Sequence, residues 1–184
     1  MTTRLAVMMA VAAALGASSP GTSWSQAPAP VAGKALAIGQ VAPAFSLTDL
    51  SGKRLDLASL HGRVVLLDFW ATWCAPCLTE IPHFVDLQKR YRDRGLQIIG
   101  ISLDDEAAEV RAFYQKLKMN YPVAIGDAAL AERYGGVLGL PVAFVIGCDG
   151  RIRARHAGET DISVFERDIA PLLRSSPCKP AKAG

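Results

Sequence analysis

The chain has little net charge, few histidines and no hydrophobic run long enough to span a bilayer. Its 184 residues carry 20 lysines and arginines against 17 acids, a formal charge of +3, and the arginines are scattered. That argues against nucleic acid or an anionic membrane surface as partner and leaves small molecules or other proteins. The three histidines, His61, His83 and His156, stand apart and form no second ligand pair at zinc spacing, so no metal site is expected. No internal repeat is present, and a chain that is 51% hydrophobic and 20% charged can bury one core of ordinary size.

The apolar run nearest the start, Leu5 to Leu15, has 11 residues, about half of the roughly twenty that a spanning helix needs. It follows one cation, Arg4, and precedes small and polar residues through Ser25, the order of a secretory signal. We therefore divide the chain into a signal peptide over 1–25, a linker over 26–40, a folded domain over 41–174 and a C-terminal tail over 175–184. The linker is Pro- and Ala-rich and has no apolar period. The alternative is an uncleaved N-terminus that anchors the protein to a membrane. No cysteine follows the run, so no lipidation site is expected there. A periplasmic or otherwise exported location permits disulfides, and each of the four cysteines is read as open to oxidation.

Phe45 to Asp49 and Arg54 to Leu57 alternate apolar and polar residues around a Ser51-Gly52 turn, which predicts a hairpin with one wet face. Val64 to Phe69 and Leu96 to Leu103 are continuous apolar runs, as in strands covered on both faces. Between them Ile81, Phe84, Val85 and Gln88 follow helical spacing, and Gly95 supplies a stop. Asp104 or Asp105 can cap a second helix reaching about Lys118. A third apolar run over Tyr121 to Ile125 precedes a short helix over Ala128 to Tyr134. Val142 to Ile146 and Arg151 to Arg155 read as a hairpin about Cys148-Asp149-Gly150. Asp161 opens a final helix that Pro171 should kink or end. The order of elements predicts an α/β sandwich around a mixed sheet.

Cys74-Ala75-Pro76-Cys77 falls between a buried strand and a helix. Cys74 would then lie at the helix N-terminus, where unpaired amides and the helix dipole favour a thiolate, lowering its pKa from about 8.5 into a range of roughly 3.5 to 7.5. Cys77, one turn further in, can attack any mixed disulfide formed on Cys74 and release the substrate. The alternatives are half of a zinc site, which lacks a second ligand pair, and an inert structural disulfide. Two acids could handle the Cys77 proton. Asp68 lies within an apolar strand, where its pKa should rise, and Glu80 lies one turn after Cys77 on the same helix face. A hydrogen-bonded structural acid at Asp68 and a solvated first-turn acid at Glu80 are the plainer alternatives. Trp70 and Trp73 flank the pair as an apolar rim for docking, with core filling the alternative for Trp70.

Asp68-Phe-Trp-Ala-Thr-Trp-Cys-Ala-Pro-Cys resembles the active-site strand and helix start of the thioredoxin superfamily, and Pro82 falls where that family's kinked helix carries a proline. Ala42-Pro-Ala-Phe-Ser-Leu, Leu50-Ser-Gly-Lys and Glu80-Ile-Pro resemble the exported TlpA/ResA branch, related to AhpC/TSA proteins. The resemblance runs from about Val41 to Leu173. It implies a thioredoxin fold: a three-layer sandwich with a central mixed sheet, an N-terminal β-hairpin and a strand–helix insert at Tyr121 to Tyr134. It also implies that Pro141, in Gly139-Leu140-Pro141, is cis and faces the cysteine pair, where spacing alone suits a trans proline starting a strand. The backbone of Leu140 could then hydrogen-bond an extended substrate. Leu140 replaces the polar residue of many relatives, so that contact is expected to be backbone and apolar. Trp73, Ala75 and Pro76 complete the expected substrate-binding surface. The resemblance supports Asp68 from general thioredoxins and Glu80 from the ResA-like branch.

The function this implies is thiol–disulfide exchange with no cofactor. Its partners would be oxidised cysteine-containing exported proteins, such as apocytochrome c or copper-site proteins, reduced with electrons from a membrane thiol donor, and the protein itself a monomer. Two rivals remain. A peroxidase of the AhpC/TSA type would carry a threonine three residues before its reactive cysteine and a proline further upstream, where this chain has Ala71 and Leu67. A copper-handling module would use Cys74, Cys77 and a histidine, but His83 lies about 240° round a helix from Cys77. Finally, Cys148 and Cys178 are expected to form a structural disulfide. The last helix, rising about 15 to 20 Å, returns over a strand of similar length and brings Cys178 back toward Cys148.

Overall fold

The computed structural model describes residues 36–137 and 139–174. The expected signal peptide, most of the linker and the tail with Cys178 lie outside the described residues. Two short strands, β1 (Ser46–Thr48) and β2 (Arg54–Asp56), pair antiparallel with Leu47 opposite Leu55. Leu55 is buried and Ser46 and Thr48 are exposed, so the hairpin has the one wet face that its alternation predicts.

The remaining strands are β3 (Val64–Trp70), β4 (Leu96–Ser102), β5 (Val123–Ile125), β6 (Val142–Ile146) and β7 (Ile152–Ala157). They form one sheet in the order β5-β4-β3-β6-β7. β3 runs parallel to β4 and antiparallel to β6, which makes the sheet mixed and puts β3 at its centre. All seven β3 residues are buried, the physical reason for its unbroken apolar run.

Side chains alternate across the sheet. Val64, Leu66 and Trp70 join Ile81, Phe84 and Leu87 of α1 (Ala75–Tyr91), Val110 of α2 (Ala107–Lys116), and Phe165 and Ile169 of α4 (Ile162–Arg174). Val65, Leu67 and Phe69 face the other way, against Phe45 and Leu55 of the front hairpin and Leu130 of α3 (Ala128–Arg133). Two apolar layers on one sheet give the three-layer α/β sandwich expected of a thioredoxin fold. Each buried Leu or Phe contributes about 1.5–3 kcal/mol.

Several helix boundaries depart from the sequence reading. Gly95 ends the first helical segment as expected, with φ 101°. Neither Asp104 nor Asp105 caps α2. Glu106 occupies that place without a side-chain bond, because the Asp104 carboxylate is committed elsewhere, as described below. α2 also stops at Lys116, two residues short, and Lys118 turns left-handed with φ 52°. Pro171 does not end α4, which continues to Arg174. A proline loses one helical amide bond, and here the face carrying Phe165 and Ile169 holds the helix on the sheet.

Candidate active site

Cys74 and Cys77 are joined by a disulfide with Cα atoms 5.3 Å apart. Cys74 is the N-cap of α1, and its Sγ accepts the Cys77 amide at 3.3 Å. Pro76 sits in the first turn, where its missing N–H costs nothing. Both sulfur-bearing residues are largely covered, Cys74 at 5% exposure and Cys77 at 1%, so the N-cap cysteine is the more accessible.

The strand registers bring the cis-proline loop to the same end of the sheet. Phe69 pairs with Val142, so Pro141, one residue earlier on antiparallel β6, falls level with Trp70. The Leu140–Pro141 bond is cis, as the resemblance implied, and the Pro141 carbonyl accepts the Gly158 amide at 2.9 Å. Leu140 is partly buried against the cluster that holds both cysteines. Trp73 is 69% exposed and Ala75 is exposed beside it, an apolar platform at the helix end. Trp70, by contrast, is wholly buried. It is not part of the rim, because its place on the central strand turns it into the core.

Asp68 and Glu80 both lie beneath this surface. Asp68, at 1% exposure, stands between Gly100 of β4 and Ala143 of β6. Its Oδ1 has no hydrogen-bond partner among the described residues. Burial, and after it the charge of Glu80, push its carboxyl well above the usual carboxylate range. Glu80 is also buried, not a solvated first-turn acid, and its Oε1 accepts the Thr160 amide at 2.7 Å. Burial raises its pKa to about 7; the Thr160 bond opposes the rise and Glu159 adds to it. Two neighbouring acids in one dry region disfavour simultaneous ionisation.

Two contacts that support the site were not read from the sequence. Asp104 accepts from the Thr72 amide at 3.0 Å, the Thr72 hydroxyl at 2.6 Å and the Ser102 hydroxyl at 2.7 Å, which fixes the turn leading into Cys74. The Glu80–Thr160 bond ties α1 to the loop between β7 and α4. An acid next to a strand end is the only sequence signal for the first contact, and it equally suits a helix cap.

The sequence pattern of the AhpC/TSA family matches residues 38–155. The chain belongs to the AhpC/TSA family. Within it, the thiol–disulfide oxidoreductase ResA of Bacillus thuringiensis subsp. konkukian is 37% identical over 122 residues, which cover 66% of this chain and 70% of that protein. ResA of Bacillus subtilis is 34% identical over 115 residues, covering 62% of this chain and 64% of that protein. A solved thiol:disulfide interchange protein of the thioredoxin family from Chlorobium tepidum superposes with a TM-score of 0.69 at 32% identity, covering 76% of this chain and 99% of that one. This AhpC/TSA protein is therefore a TlpA/ResA-like thiol–disulfide oxidoreductase with a thioredoxin fold. The positions where a peroxidase of the family would carry its proline and threonine are Leu67 and Ala71, both fully buried and apolar.

His83 is exposed on α1, and among the described residues no three His, Cys, Asp or Glu side chains are grouped to hold a metal. Cys148 lies in the turn between β6 and β7, where its carbonyl accepts the Gly62 amide at 2.9 Å. Its expected bridge to Cys178 falls outside the described residues because Cys178 does. Among the described residues no helix is long and apolar enough to cross a membrane.

Proposed function

We propose that this oxidoreductase is exported and reduces disulfides of cysteine-containing proteins in the periplasm, with Cys74 as attacking sulfur and Cys77 as resolving sulfur. One observation carries the reading: the disulfide caps α1 between an exposed apolar platform, Trp73 and Ala75, and two buried acids. In the dithiol state the amides of the first turn stabilise a Cys74 thiolate, which attacks a substrate disulfide and displaces one substrate thiolate. The substrate chain lies along Trp73, Ala75, Pro76 and the Leu140–Pro141 backbone. Asp68, with Glu80 tuning it, takes the proton from Cys77. The Cys77 sulfur then attacks Cys74, the Cys74–Cys77 bond forms and the second substrate thiolate leaves with its electron pair. A membrane thiol donor returns two electrons to the pair, and no cofactor takes part. The protein acts as a monomer, and apocytochrome c or copper-site proteins have the oxidised cysteine pairs that this chemistry fits.

The test is a Cys77→Ala trap in the native compartment. Mixed disulfides on Cys74 with exported proteins should accumulate. The proposal fails if the trapped adducts sit on other cysteines, or if Cys77 of the reduced protein alkylates faster than Cys74.

A further inference from the structure

Beneath the cysteine pair, toward the β5 edge of the sheet, three buried polar atoms have no hydrogen-bond partner among the described residues: Asp68 Oδ1, Trp70 Nε1 and the Tyr121 hydroxyl. The registers place them side by side. Asp68 on β3 is opposite Gly100 on β4, and Gly100 is opposite Val123 on β5. Asp68 and Trp70, two apart on one strand, share a face. Tyr121 precedes Val123 by two residues and joins the same apolar cluster as Trp70 and Cys77. The Gly100 amide donates to the Pro122 carbonyl at 3.0 Å, holding the chain next to Tyr121 against β4. Gly100 lacks a side chain, and that space is used. A Cβ there would stand 3.0 Å from Trp70 Nε1 and 3.1 Å from Val123 Cγ2, so the indole nitrogen lies over the gap between Asp68 and the β5 strand.

Tyr121 is only 2% exposed, yet it also lines a cavity of about 470 Å³ with Asp49, Lys53, Arg111, Tyr114 and Asn120. The cavity opens to solvent through Lys53, Arg111 and Asn120, all exposed, and the Arg111 guanidinium crosses to donate to the Leu50 carbonyl. One residue thus belongs both to the buried cluster under the disulfide and to the lining of a water-accessible space at the β5 edge, on the same face of the sheet. The three groups make no hydrogen bond to one another, so a proton passing from Asp68 to Tyr121 needs a bridging water, which takes two to four polar partners.

We propose that Tyr121 is a relay residue that carries the Cys77 proton, received by Asp68, out to water in this edge cavity. The inference rests on the proposed role of Asp68. It answers a need of that role, since a protein docked over Trp73 and Pro141 closes the front of the site to solvent. The step balances as follows. The Cys77 S–H bond breaks and the Cys77–Cys74 bond forms; the bond from Cys74 to the substrate sulfur breaks, and the substrate leaves as a thiolate with the electron pair. The proton passes to Asp68 and on through the Tyr121 hydroxyl, which accepts one proton while donating its own, to end on water. Burial, then the nearby Asp68 charge, raise the Tyr121 hydroxyl well above its ordinary range, so it stays neutral while it relays. Glu80 acts on Asp68 from α1 and Tyr121 lies near it on the β5 side, with Cys77 in the same buried cluster as Tyr121.

The experiment follows decay of the mixed disulfide in single-turnover mixing with a protein disulfide and with a small aromatic disulfide that leaves the front open. Removing an unpartnered buried hydroxyl is near neutral for stability, so Tyr121→Phe should fold. With the protein substrate, Tyr121→Phe should slow release about 10-fold, a fraction of what a general base supplies. Formation of the adduct and turnover of the small disulfide should stay within about twofold of wild type. Tyr121→Ala, which opens the cavity toward Asp68, should be slow as well and regain speed with added imidazole, a proton carrier small enough to enter. Release of the protein substrate within twofold of wild type in Tyr121→Phe overturns the relay, as does a slow Tyr121→Ala that imidazole leaves unchanged. Asp68→Asn separates the two levels. If it releases substrate at the wild-type rate, the role of Asp68 falls; if it is slow while Tyr121→Phe is normal, only the relay does.

Discussion

Replacing Asp68 by asparagine should make the oxidised protein more stable at pH 8 while making the reduced one a poorer enzyme. In the unfolded chain the carboxyl titrates near 3.8, whereas burial in the central strand raises it well above that value. The native protein therefore holds a proton that the unfolded chain has released. Stability contributed by Asp68 is full below 3.8 and is lost as pH rises toward the folded value. Asparagine keeps the shape and never ionises, so it escapes this loss. The size of this loss by pH 8 is taken from the desolvation of a buried group with one unsatisfied oxygen, about 1–3 kcal/mol. Taking about 2 kcal/mol, Asp68→Asn should raise Tm by roughly 4–8 °C at pH 8 and leave it unchanged at pH 4. Thermal melts followed by circular dichroism between pH 4 and 8 read this directly. A Tm difference that is the same at every pH, or a variant less stable than wild type at pH 8, refutes the argument. In the reduced protein the same substitution should slow release of the mixed disulfide by about 10², with the initial attack nearly intact; equal loss in both steps would mean a structural role.

Glu80→Gln should preserve the bond to Thr160, because the amide oxygen can accept it, and remove the inflection near pH 7 from the rate profile of release. It should also remove a loss of stability that the wild type undergoes as pH rises from 4.5 to about 7; an unchanged inflection would assign it to another group. Asp104→Ala strips three hydrogen bonds from the turn before Cys74 and should cost about 2–4 kcal/mol, read in urea melts, where a loss under about 0.5 kcal/mol would show the clamp to be idle. A Cys148–Cys178 bridge would close a loop of about 30 residues and contribute roughly 3 to 4 kcal/mol. Peptide mapping of the non-reduced protein should yield a linked pair, and alkylatable thiols at both positions would rule it out.

Most of the scaffold is legible in the chain because its signals are local. Val64 to Phe69 announces a strand covered twice, and Cys74 with Pro76 announces the helix start. The cis bond at Pro141 is different: spacing favours trans, and only the resemblance pointed to cis. What escaped was long-range. Nothing near Asp104 says that Thr72, thirty-two residues earlier, will claim its carboxylate, so a helix cap was the natural reading. Glu80 resembles any first-turn acid until Thr160, eighty residues away, arrives over it. Pro171 reads as a kink or an end because its sequence neighbours cannot show how firmly Phe165 and Ile169 hold the helix down.

The central position of β3 has a consequence for the order of assembly. Its parallel neighbour β4 is made about thirty residues later, but its antiparallel neighbour β6, which carries Pro141, is made more than seventy residues after β3 begins. A nascent chain therefore displays both thiols with one flank of their strand open and no proline loop opposite them. During that interval the pair can meet any oxidant or foreign thiol with no proline loop to exclude it. Selectivity arrives late and all at once, when the closing hairpin β6–β7 zips onto β3, so a chain cut before residue 142 would keep its sulfurs and lose the means to choose a partner.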